Sequence, residues 1–550
     1  MPWQSICPAI RLRVPTAMLR LTDIKLPLNH DEKSLEQAIL SKLHITKQQL
    51  IATTVFKRGY DARKNNDIKL IYTLDIEVTN EAKLLDSFSN DTSVRETPDM
   101  SYKFVAKAPA DSTERPVVVG LGPCGLFSAL ILAQMGFKPI VLERGKAVRE
   151  RTKDTFGFWR KQPLNPESNV QFGEGGAGTF SDGKLYSQVK DRKHYGRKVL
   201  SEFVAAGAPE EILYVSKPHI GTFKLVAMVE KMRAQIISLG GEIRFSTRVE
   251  KLDVENNKIK GLYLSDNSYL ACSKVILAIG HSARDTFTSL YEQGVYIEAK
   301  PFSIGFRIEH EQSMIDTCRF GENAGNPILG AADYKLVHHC KNGRTVYSFC
   351  MCPGGTVVAA ASEPGRVVTN GMSQYSRHER NANSAIVVGI TPEQDYPGHP
   401  LAGIDLQRRL EQLAFNAGGE NYHAPAQLIG DFLNGKPSTE VGGVTPSYTP
   451  GVTLTDLSKV VPDYVTESVR EAIVAFNRQI KGFAKQDGIL TGVETRTSSP
   501  ICIKRDEHYQ SINTEGLYPA GEGAGYAGGI WSAGIDGIRV AEAVALAMVK

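Results

Sequence analysis

Two cysteines separated by a single residue are the first candidates for chemistry in this 550-residue chain. Cys350 and Cys352 precede the Pro-Gly-Gly turn of residues 353–355. Two neighbouring thiols can form a redox pair, and one of them can serve as a reactive thiolate. In a strand, residues two apart share one face without necessarily bonding, so a purely structural interpretation stays open. The turn is a further candidate, because it can bring backbone amides close to a ligand.

A charged cluster follows at residues 377–380, with the sequence Arg-His-Glu-Arg. Arg377 suits a substrate carboxylate, because a guanidinium binds that group through two parallel hydrogen bonds. His378 is the matching candidate for a catalytic acid or base. A solvated turn is the alternative interpretation of the same residues. On the first interpretation, the partner is a small-molecule substrate with an anionic group.

The other histidines do not predict a metal site. His338 and His339 are adjacent, and adjacent residues of a strand point to opposite faces, so they are not expected to bind one ion together. The chain contains no H-E-x-x-H motif and no paired C-x-x-C motif. We therefore predict no metal.

A glycine motif predicts where a ligand binds. It has the form G-x-G-x-x-G and directly follows the apolar run Val117–Val119. The first glycine permits a tight turn, the second lets backbone approach a pyrophosphate, and the third lets helix pack on strand. Glu143 ends the next predicted strand, near the distance expected of a carboxylate that accepts ribose hydroxyls. The unit predicts a dinucleotide and leaves FAD and NAD(P) open. Its predicted cofactor-binding residues are Gly120, Gly122, Pro123, Cys124, Gly125, Glu143 and Arg144.

In FAD-binding folds the chain contacts the cofactor at several places along the sequence. Three later segments fit such contacts. Residues 172–185 form a glycine-rich loop with polar side chains beside it. Residues 240–280 predict a strand, an antiparallel meander and a second, buried strand. Residues 516–544 predict a short strand, a glycine turn and a helix whose N-terminus suits a flavin ring. Together they favour FAD. Their predicted cofactor-binding residues are Gly175, Gly176, Thr179, Ser181, Lys184, Leu185, Val249, Ala278, Gly280, Gly521, Glu522, Gly529 and Ile530.

In these segments the chain resembles the FAD-dependent dehydrogenases of uncharacterised substrate that are widespread in bacteria, a branch of the glutathione-reductase-like flavoproteins. The resemblance covers residues 116–550, and FGEGGAGTFSDGKL and AGEGAGYAGGI carry most of it. It implies bound FAD and a substrate domain inserted into the FAD domain. Glu522 departs from the commonest pattern, since many relatives of the wider class have aspartate there.

The predicted elements place these residues in an α/β fold. We expect a three-layer ββα Rossmann-like FAD-binding domain in two parts, 111–300 and 489–550, with an α+β substrate domain inserted at 301–488. A small α+β domain occupies residues 1–110. Predicted strands are 18–26, 49–58, 69–78, 302–308, 345–350, 356–361 and 384–389, and predicted helices are 32–43, 81–88, 401–416 and 466–483.

Composition limits the partners. The chain is 42% hydrophobic and 23% charged, as in ordinary globular proteins, and it has no apolar stretch long enough to predict a membrane span. The net charge of +4 argues against a strongly electrostatic partner such as duplex DNA. A basic group that includes Lys57, Arg58 and Arg63 suits either an RNA or anionic-ligand surface or a solvated face.

The N-terminus predicts no signal peptide, because Pro2, Pro8 and Pro15 interrupt any apolar core beside Arg11 and Arg13. Eight cysteines are too few for a disulfide scaffold, so a cytoplasmic location is expected. The oligomeric state stays open, a homo-oligomer included.

The sequence thus predicts an FAD-dependent oxidoreductase that transfers a hydride between a small molecule and flavin N5. No second nucleotide-binding βαβ unit is visible, so NAD(P)H is expected at most as a transient partner. His219, His281 and the cysteines stay open as covalent tethers. Two alternatives also stay open: a flavin protein that contacts or modifies RNA, and a non-catalytic redox sensor.

Overall fold

The computed structural model describes residues 18–550, in two compact units. Of the described residues, 18–100 and 213–216 form the first unit, and 101–212 and 217–550 form the second. The prediction that there is no signal peptide concerns residues 1–17, which lie outside the described residues. Among residues 18–550, every helix is too short or too polar to traverse a lipid bilayer.

The described part of the first unit is an antiparallel sheet with helices. Alternate residues of its strand Lys69–Val78 are buried, as expected of a strand with one face on a core. The longer helix, Glu32–Leu43, begins after Asp31, whose carboxylate accepts a hydrogen bond from the Ser34 N–H at 2.8 Å. A second helix spans Glu81–Ser87. The strand order is Leu50–Asp61, Lys69–Val78, Leu19–Pro27, Val94–Glu96.

The second unit is built on a parallel sheet, which confirms the predicted α/β class. Its three central strands are fully buried and consist of valine, isoleucine and leucine, as expected of strands covered on both faces. The carboxyl ends of parallel strands meet at one edge, so the turns that follow them emerge together. The strand order is Leu517–Pro519, Val275–Leu277, Val117–Val119, Ile140–Leu142, Glu242–Arg244.

Helices cover one face of this sheet and an antiparallel meander covers the other. Val118 packs on the helical side, whereas Val117 and Val119 pack on the meander side, as side chains alternate along a strand. The helices that share the first core are Pro123–Gln134, Tyr195–Ala205, Thr222–Ser238 and Ile530–Met548. The meander strands are Val249–Glu255, Lys258–Leu264 and Tyr269–Ala271. Helices Val148–Trp159 and Arg284–Glu292 complete this part.

Residues 301–497 contain a second, mixed sheet. Its strand Ile489–Glu494 lies between two other strands, so the sheet extends six residues beyond the predicted boundary at 488. The strand order is Val337–His339, Thr345–Cys352, Asn381–Ile390, Phe302–Glu311, Ile489–Glu494, Ala424–Leu428, Val452–Leu454. Its helices are Gln312–Phe320, Pro392–Asp395, Ala402–Ala417, Ile429–Asn434 and Asp463–Phe476. Paired strands outside it are Gly355–Ala359 with Thr369–Ser373 and Ile297–Ala299 with Ile501–Ile503.

The largest difference in a predicted element is the end of a helix. We expected residues 466–483, whereas the helix spans Asp463–Phe476. Pro462 stands at its N-cap, and Asn477 ends it by accepting hydrogen bonds from the N–H groups of Gly482 and Ala484 at 2.9 and 3.1 Å. The apolar residues beyond 476 therefore belong to a turn wrapped around an asparagine.

Candidate functional site

The carboxyl edge of the parallel sheet opens into a cleft of about 340 Å³, hereafter the glycine cleft. Val119, Leu142, Ala278 and Ala520 line it, at or just beyond the ends of four strands. Open α/β sheets bind their ligands at this edge.

Glycine bends from distant parts of the chain meet backbone to backbone around the cleft. A Cβ atom on Gly120, whose φ is +95°, would lie 2.4 Å from the carbonyl oxygen of Ala278. A Cβ on Gly176 would lie 2.8 Å from the Cα of Gly122. The first bend therefore touches both the loop at 172–185 and the turn at 278–280, with no room for side chains between them.

The C-terminal bend joins the same assembly. A Cβ on Gly523 would lie 2.3 Å from the carbonyl oxygen of Gly280, and one on Gly178 would lie 2.8 Å from Ile530. Gly521 lies equally close to the side chain of Cys124. Four segments far apart in sequence thus enclose one cavity.

Other glycines face open space. A Cβ on Gly280, Gly528 or Gly529 would meet no atom within 4 Å, although all three residues line the cleft. Two helices also begin there, with Gly122 and Gly529 as N-caps that make no side-chain capping hydrogen bond. Helix N-termini with such exposed N–H groups suit anionic ligand groups.

A buried arginine shapes the loop at 172–185. Arg151, on helix Val148–Trp159, donates hydrogen bonds to the carbonyl oxygens of Asn169, Val170 and Glu174 at 2.7–2.8 Å. Burial lowers the pKa of Arg151 to about 10, against the charges of Glu143 and Glu174, so the guanidinium stays protonated at neutral pH. The sequence analysis did not identify this residue.

The predicted ribose ligand, Glu143, also organises the cleft. Its carboxylate accepts hydrogen bonds from the N–H groups of Leu121, Gly145 and Gly173 at 2.8–3.0 Å. An ionised carboxylate can accept about four hydrogen bonds, so capacity for a ligand hydroxyl remains. The adjacent Arg144, predicted to bind the cofactor, lines the cleft. Its guanidinium forms ion pairs with Glu167 and Asp285, both at 2.9 Å.

Most predicted cofactor-binding residues line the cleft, and five lie behind its wall. Gly125 supports the first bend, since its Cβ would lie 1.9 Å from the carbonyl oxygen of Gly120. Gly175 lies against the buried Thr179, and Leu185 belongs to the core. Gly521 lies against Cys124. The predicted residues that line the cleft are Gly120, Gly122, Pro123, Cys124, Glu143, Arg144, Gly176, Ser181, Lys184, Val249, Ala278, Gly280, Glu522, Gly529 and Ile530.

Cys350 also lines the cleft, whereas Cys352, the last residue of the same strand Thr345–Cys352, is buried. The strand is irregular between Phe349 and Cys352, and Cys350 has a φ of +44°. Both cysteines are free thiols. The irregularity therefore exposes one thiol to the cavity and leaves the other in the core.

Fixed positive charges surround Cys350. The Lys184 ammonium donates a hydrogen bond to the carbonyl oxygen of Met351, and the Arg307 guanidinium donates one to that of Cys350 at 3.0 Å. A hydrogen bond from Cys352, with the charges of Lys184 and Arg307, lowers the pKa of the Cys350 thiol against the effect of burial. Burial also opposes protonation of Lys184, but the neighbouring thiols and Asp182 raise its pKa, so it stays charged.

The predicted roles of Arg377 and His378 are not supported by their positions. Neither lines the cleft. The Arg377 guanidinium forms a bidentate pair with the buried Asp182 at 2.5 and 3.0 Å, so it neutralises a carboxylate of this chain. His378 is exposed at the surface. The chain reverses direction at Arg377, which has a φ of +51° and whose carbonyl lies against Gly354. This turn leaves His378 at the surface.

Sequence reasoning missed three further groups of the cleft. Asn370 lines it from the strand Thr369–Ser373. His281, considered only as a tether, lines it with Nδ1 at 3.0 Å from the Glu522 carboxylate. Arg496 reaches it from beyond the second sheet. The position of His281 directly after Gly280 was the only available signal, since contacts across the chain place the other two.

Two parts of the chain match known family models. Residues 301–497 match the model described as FAD-dependent protein, C-terminal domain-like, and residues 18–77 match a domain of unknown function. An uncharacterised protein from Clostridium beijerinckii is 48% identical over 526 residues, which cover 95% of this chain and 98% of that protein.

Several solved structures are distantly similar. Glycine oxidase from Bacillus cereus is 12% identical, with a TM-score of 0.31 over 78% of this chain and 94% of that one. L-proline dehydrogenase from P. horikoshii is 14% identical, with a TM-score of 0.31 over 79% and 93% of the two chains.

Proposed function

We propose that this chain, which belongs to the same protein family as the clostridial protein, is an FAD-dependent oxidoreductase acting on a small molecule. One observation carries the proposal: four glycine-bearing segments enclose a single cleft at the carboxyl edge of a parallel sheet, and two helix N-termini open into it. A parallel sheet with this edge is the usual place for a dinucleotide.

The residues of the cleft fit FAD. The N–H groups at the start of helix Pro123–Gln134 would hold the pyrophosphate, beside Gly122 and Gly176, whose backbones permit close approach. Glu143 retains capacity for a ribose hydroxyl, and Val249 lines the side proposed for the adenine. At the other end, Glu522 would accept a hydroxyl, and the helix that starts at Ile530 would face the flavin.

When bound, FAD supplies a two-electron acceptor and donor at its flavin ring. The chain contributes the end of the cleft around Lys184, Cys350 and Asn370. There the Lys184 ammonium provides a positive charge. It shares the Asp182 carboxylate, 3.7 Å away, with Arg377, whereas Arg307 is paired with Glu494. A substrate with a negatively charged group would suit this end.

The Cys350 thiol is the group placed to hold or accept a proton in this end of the cleft. Its lowered pKa favours the thiolate at neutral pH, the form that can accept a proton from a substrate. Lys184 and Arg307 fix the charge beside it. We assign Cys350, in place of Arg377 and His378, as the first candidate for a catalytic residue.

FAD binding can be tested with a substitution that intrudes only into the cleft. Gly529 has extended backbone, with φ of 166°, and its Cβ would meet no atom, so Gly529→Ala should fold normally. An added atom at a close contact costs about 1–3 kcal/mol, so we expect FAD affinity to fall roughly tenfold or more. Flavin fluorescence during FAD titration measures it. Gly389→Ala in the second sheet, where the nearest atom is 3.8 Å away, is the matched control.

The proposal fails if the purified protein shows no visible flavin absorbance and takes up no FAD. Equal FAD affinity for Gly529→Ala and Gly389→Ala would place the cofactor elsewhere. Oxidoreductase activity is tested by anaerobic mixing of the flavoprotein with NADH, NADPH and a panel of carboxylates. Bleaching of the flavin identifies a donor, whereas persistent failure to bleach and reoxidise would favour a non-catalytic sensor.

A further inference from the structure

Three metal-binding side chains meet on the second sheet, in a group that does not line the glycine cleft. We propose that His338, Cys340 and Glu471 bind a divalent transition-metal ion, with Zn²⁺ the best match to one nitrogen, one sulfur and one oxygen ligand. His338 lies on strand Val337–His339, Cys340 follows that strand, and Glu471 lies on helix Asp463–Phe476. The proposal is independent of the proposed function.

His338 and the adjacent His339 point to opposite faces of the strand, so this pair does not form the site. Cys340 is two residues from His338, and side chains two apart share a face. The third ligand, Glu471, is 131 residues beyond Cys340, on the helix that packs against the hairpin of strands Val337–His339 and Thr345–Cys352.

The distances fit a metal site. One ligand atom from each residue lies within 4.8 Å of the other two, and His338 Nε2 is 2.9 Å from Glu471 Oε1. Zinc ligands at 2.0–2.3 Å in a tetrahedron lie about 3.3–3.8 Å from one another. Side-chain adjustments of under about 1 Å would therefore accommodate the ion. A water molecule or a further ligand can take the fourth position.

The surroundings hold the ligands in place. Cys340 is buried and its thiol donates to the Ser468 carbonyl at 3.6 Å. The Glu471 carboxylate accepts a hydrogen bond from the Lys341 N–H at 3.2 Å. The Ser468 contact is lost when an ion displaces the thiol proton, whereas the Lys341 N–H can stay bonded to the carboxylate. Groups that orient a ligand in this second way commonly raise metal affinity about 10–100-fold.

The site also has an entry path and a chemical requirement. The side chains of His338 and Glu471 are 27% and 32% exposed, so an ion can reach them from solvent. A cysteine binds a metal ion as the thiolate, so the ion must displace the Cys340 proton. Binding should therefore weaken as the pH falls.

A bound ion would tie the hairpin of Val337–His339 and Thr345–Cys352 to helix Asp463–Phe476. Val337–His339 is an edge strand with one sheet neighbour among the described residues. The other strand of the hairpin carries Cys350 into the glycine cleft. The ion would stiffen a support of the cleft without touching it.

Cobalt titration of the untagged, metal-stripped full-length protein tests the site. We expect one equivalent of Co²⁺ to bind, with a sulfur-to-cobalt charge-transfer band in the ultraviolet, and Zn²⁺ to displace it. Cys340→Ser should abolish the band. His338→Gln and Glu471→Gln should weaken binding at least tenfold. His339→Gln is the matched control, because His339 instead contacts Thr345 at 3.0 Å, and it should bind as the wild type does.

The proposal is overturned if the wild type shows no charge-transfer band, or if His338→Gln and Glu471→Gln bind cobalt as tightly as His339→Gln. Circular dichroism checks that each variant is folded. If Cys340→Ser does not fold, the two partly exposed ligands decide the outcome. Flavin absorbance in the visible region reports FAD separately, so loss of one ligand is not mistaken for loss of the other.

Discussion

Cys350 occupies an unfavourable backbone conformation at the wall of the cleft. Its φ of +44° lies in the left-handed region, which costs a non-glycine residue about 1–3 kcal/mol at such sites. Arg307 holds the carbonyl of Cys350 with two N–H groups at 3.0 and 3.4 Å. The buried Glu494 in turn holds the guanidinium at 3.2 Å. A conformation maintained by a buried ion pair fixes the position of the thiol.

Thiol reactivity should show the effect of the neighbouring charges. The thiolate is the reactive form, so a lowered pKa keeps Cys350 reactive below the ordinary cysteine value of about 8.5. Reactivity should disappear only as the pH falls through the lowered pKa. In Lys184→Met the pH at which half of Cys350 is reactive should rise, because one positive charge that stabilises the thiolate is removed. Iodoacetamide labelling from about pH 3.5 to 10, a range that spans the lowered pKa of about 5, is read by mass spectrometry and gives the midpoint of the labelling curve for both proteins.

Cys318, remote from the cleft lining, is the internal reference in the same digest. Its labelling profile should not differ between the wild type and Lys184→Met. An ordinary midpoint for Cys350, unchanged by the substitution, would remove it as a proton-accepting candidate.

Local constraints explain which residues of the cleft were predictable. Gly120 needs a positive φ and a close approach, requirements that are written into its own position. Arg377 was predicted to bind a substrate carboxylate, and its pair with Asp182 was not foreseen because that residue is 195 positions away and is an ordinary acid in sequence. Arg307 was missed because it is one residue of a buried strand, and no motif or residue spacing in that strand indicates a functional side chain. Side-chain pairing across the fold is not encoded locally.

At the scale of elements, two helices set the width of the cleft. Helices Pro123–Gln134 and Ile530–Met548 both begin at its wall and pack closely against each other. A Cβ on Gly537 would lie 2.3 Å from the Cys124 carbonyl oxygen, and the Ser128 hydroxyl donates to the Gly537 carbonyl at 3.1 Å. Only a glycine allows this separation.

Gly537→Ala should force these helices apart. Overpacking against backbone costs about 1–3 kcal/mol, and better helix propensity returns at most about 1 kcal/mol. FAD affinity should fall with stability, because the helix N-termini move together with their axes. Gly534→Ala is the control on the same helix, since its neighbours are side chains of Phe127 and Val199 that can shift. Thermal unfolding measures the difference.

Equal melting temperatures for Gly537→Ala and Gly534→Ala would show that the helix spacing is not constrained by this contact. The same measurement with saturating FAD separates an effect on the fold from an effect on the cleft.

Helices and strands were predictable where the local residue pattern defines them. They were less predictable where a strand pairs with a partner far away in the sequence. Strand Lys69–Val78 has its predicted bounds, because alternation along ten residues defines it. Strand Ile489–Glu494 was assigned to the FAD-binding part, yet it pairs with Phe302–Glu311, about 180 residues earlier. Nothing within six buried residues specifies that partner.

At the scale of the second unit, a buried ion cluster joins three distant segments. The Glu411 carboxylate, on helix Ala402–Ala417, accepts hydrogen bonds from Arg284 and Arg496 at 2.7–3.0 Å. All three side chains are buried, and Arg496 also lines the cleft. Burial opposes ionisation, but Arg284 and Arg496 outweigh it and hold the pKa of the Glu411 carboxyl below its usual range.

Glu411→Gln should therefore destabilise the second unit strongly and in a pH-dependent way. The substitution leaves the buried Arg496 guanidinium without an acidic partner, whereas Arg284 keeps its pair with Glu363 at 2.6 Å. Breaking a buried pair in this way costs about 3–5 kcal/mol near pH 7. The folded-state pKa of Glu411 lies below the unfolded value of about 4.3, so the unfolded state binds more protons as the pH falls. The stability that Glu411 contributes is present above the unfolded value and is lost progressively as the pH falls from there through the lower folded-state pKa. Urea unfolding at pH 7, 5, 4 and 3 should show a difference in unfolding free energy between the wild type and Glu411→Gln that narrows mainly below pH 4.

Glu230→Gln is the matched control, since Glu230 pairs with Arg149, whose side chain is 71% exposed, at 2.7 Å. A surface pair of this kind contributes at most about 1 kcal/mol. A free-energy difference between the wild type and Glu411→Gln that stays constant down to pH 3 would mean that packing of the helix, and not the carboxylate charge, stabilises this junction. A narrowing difference would instead identify the ion cluster as the element that holds the wall of the cleft against the second sheet.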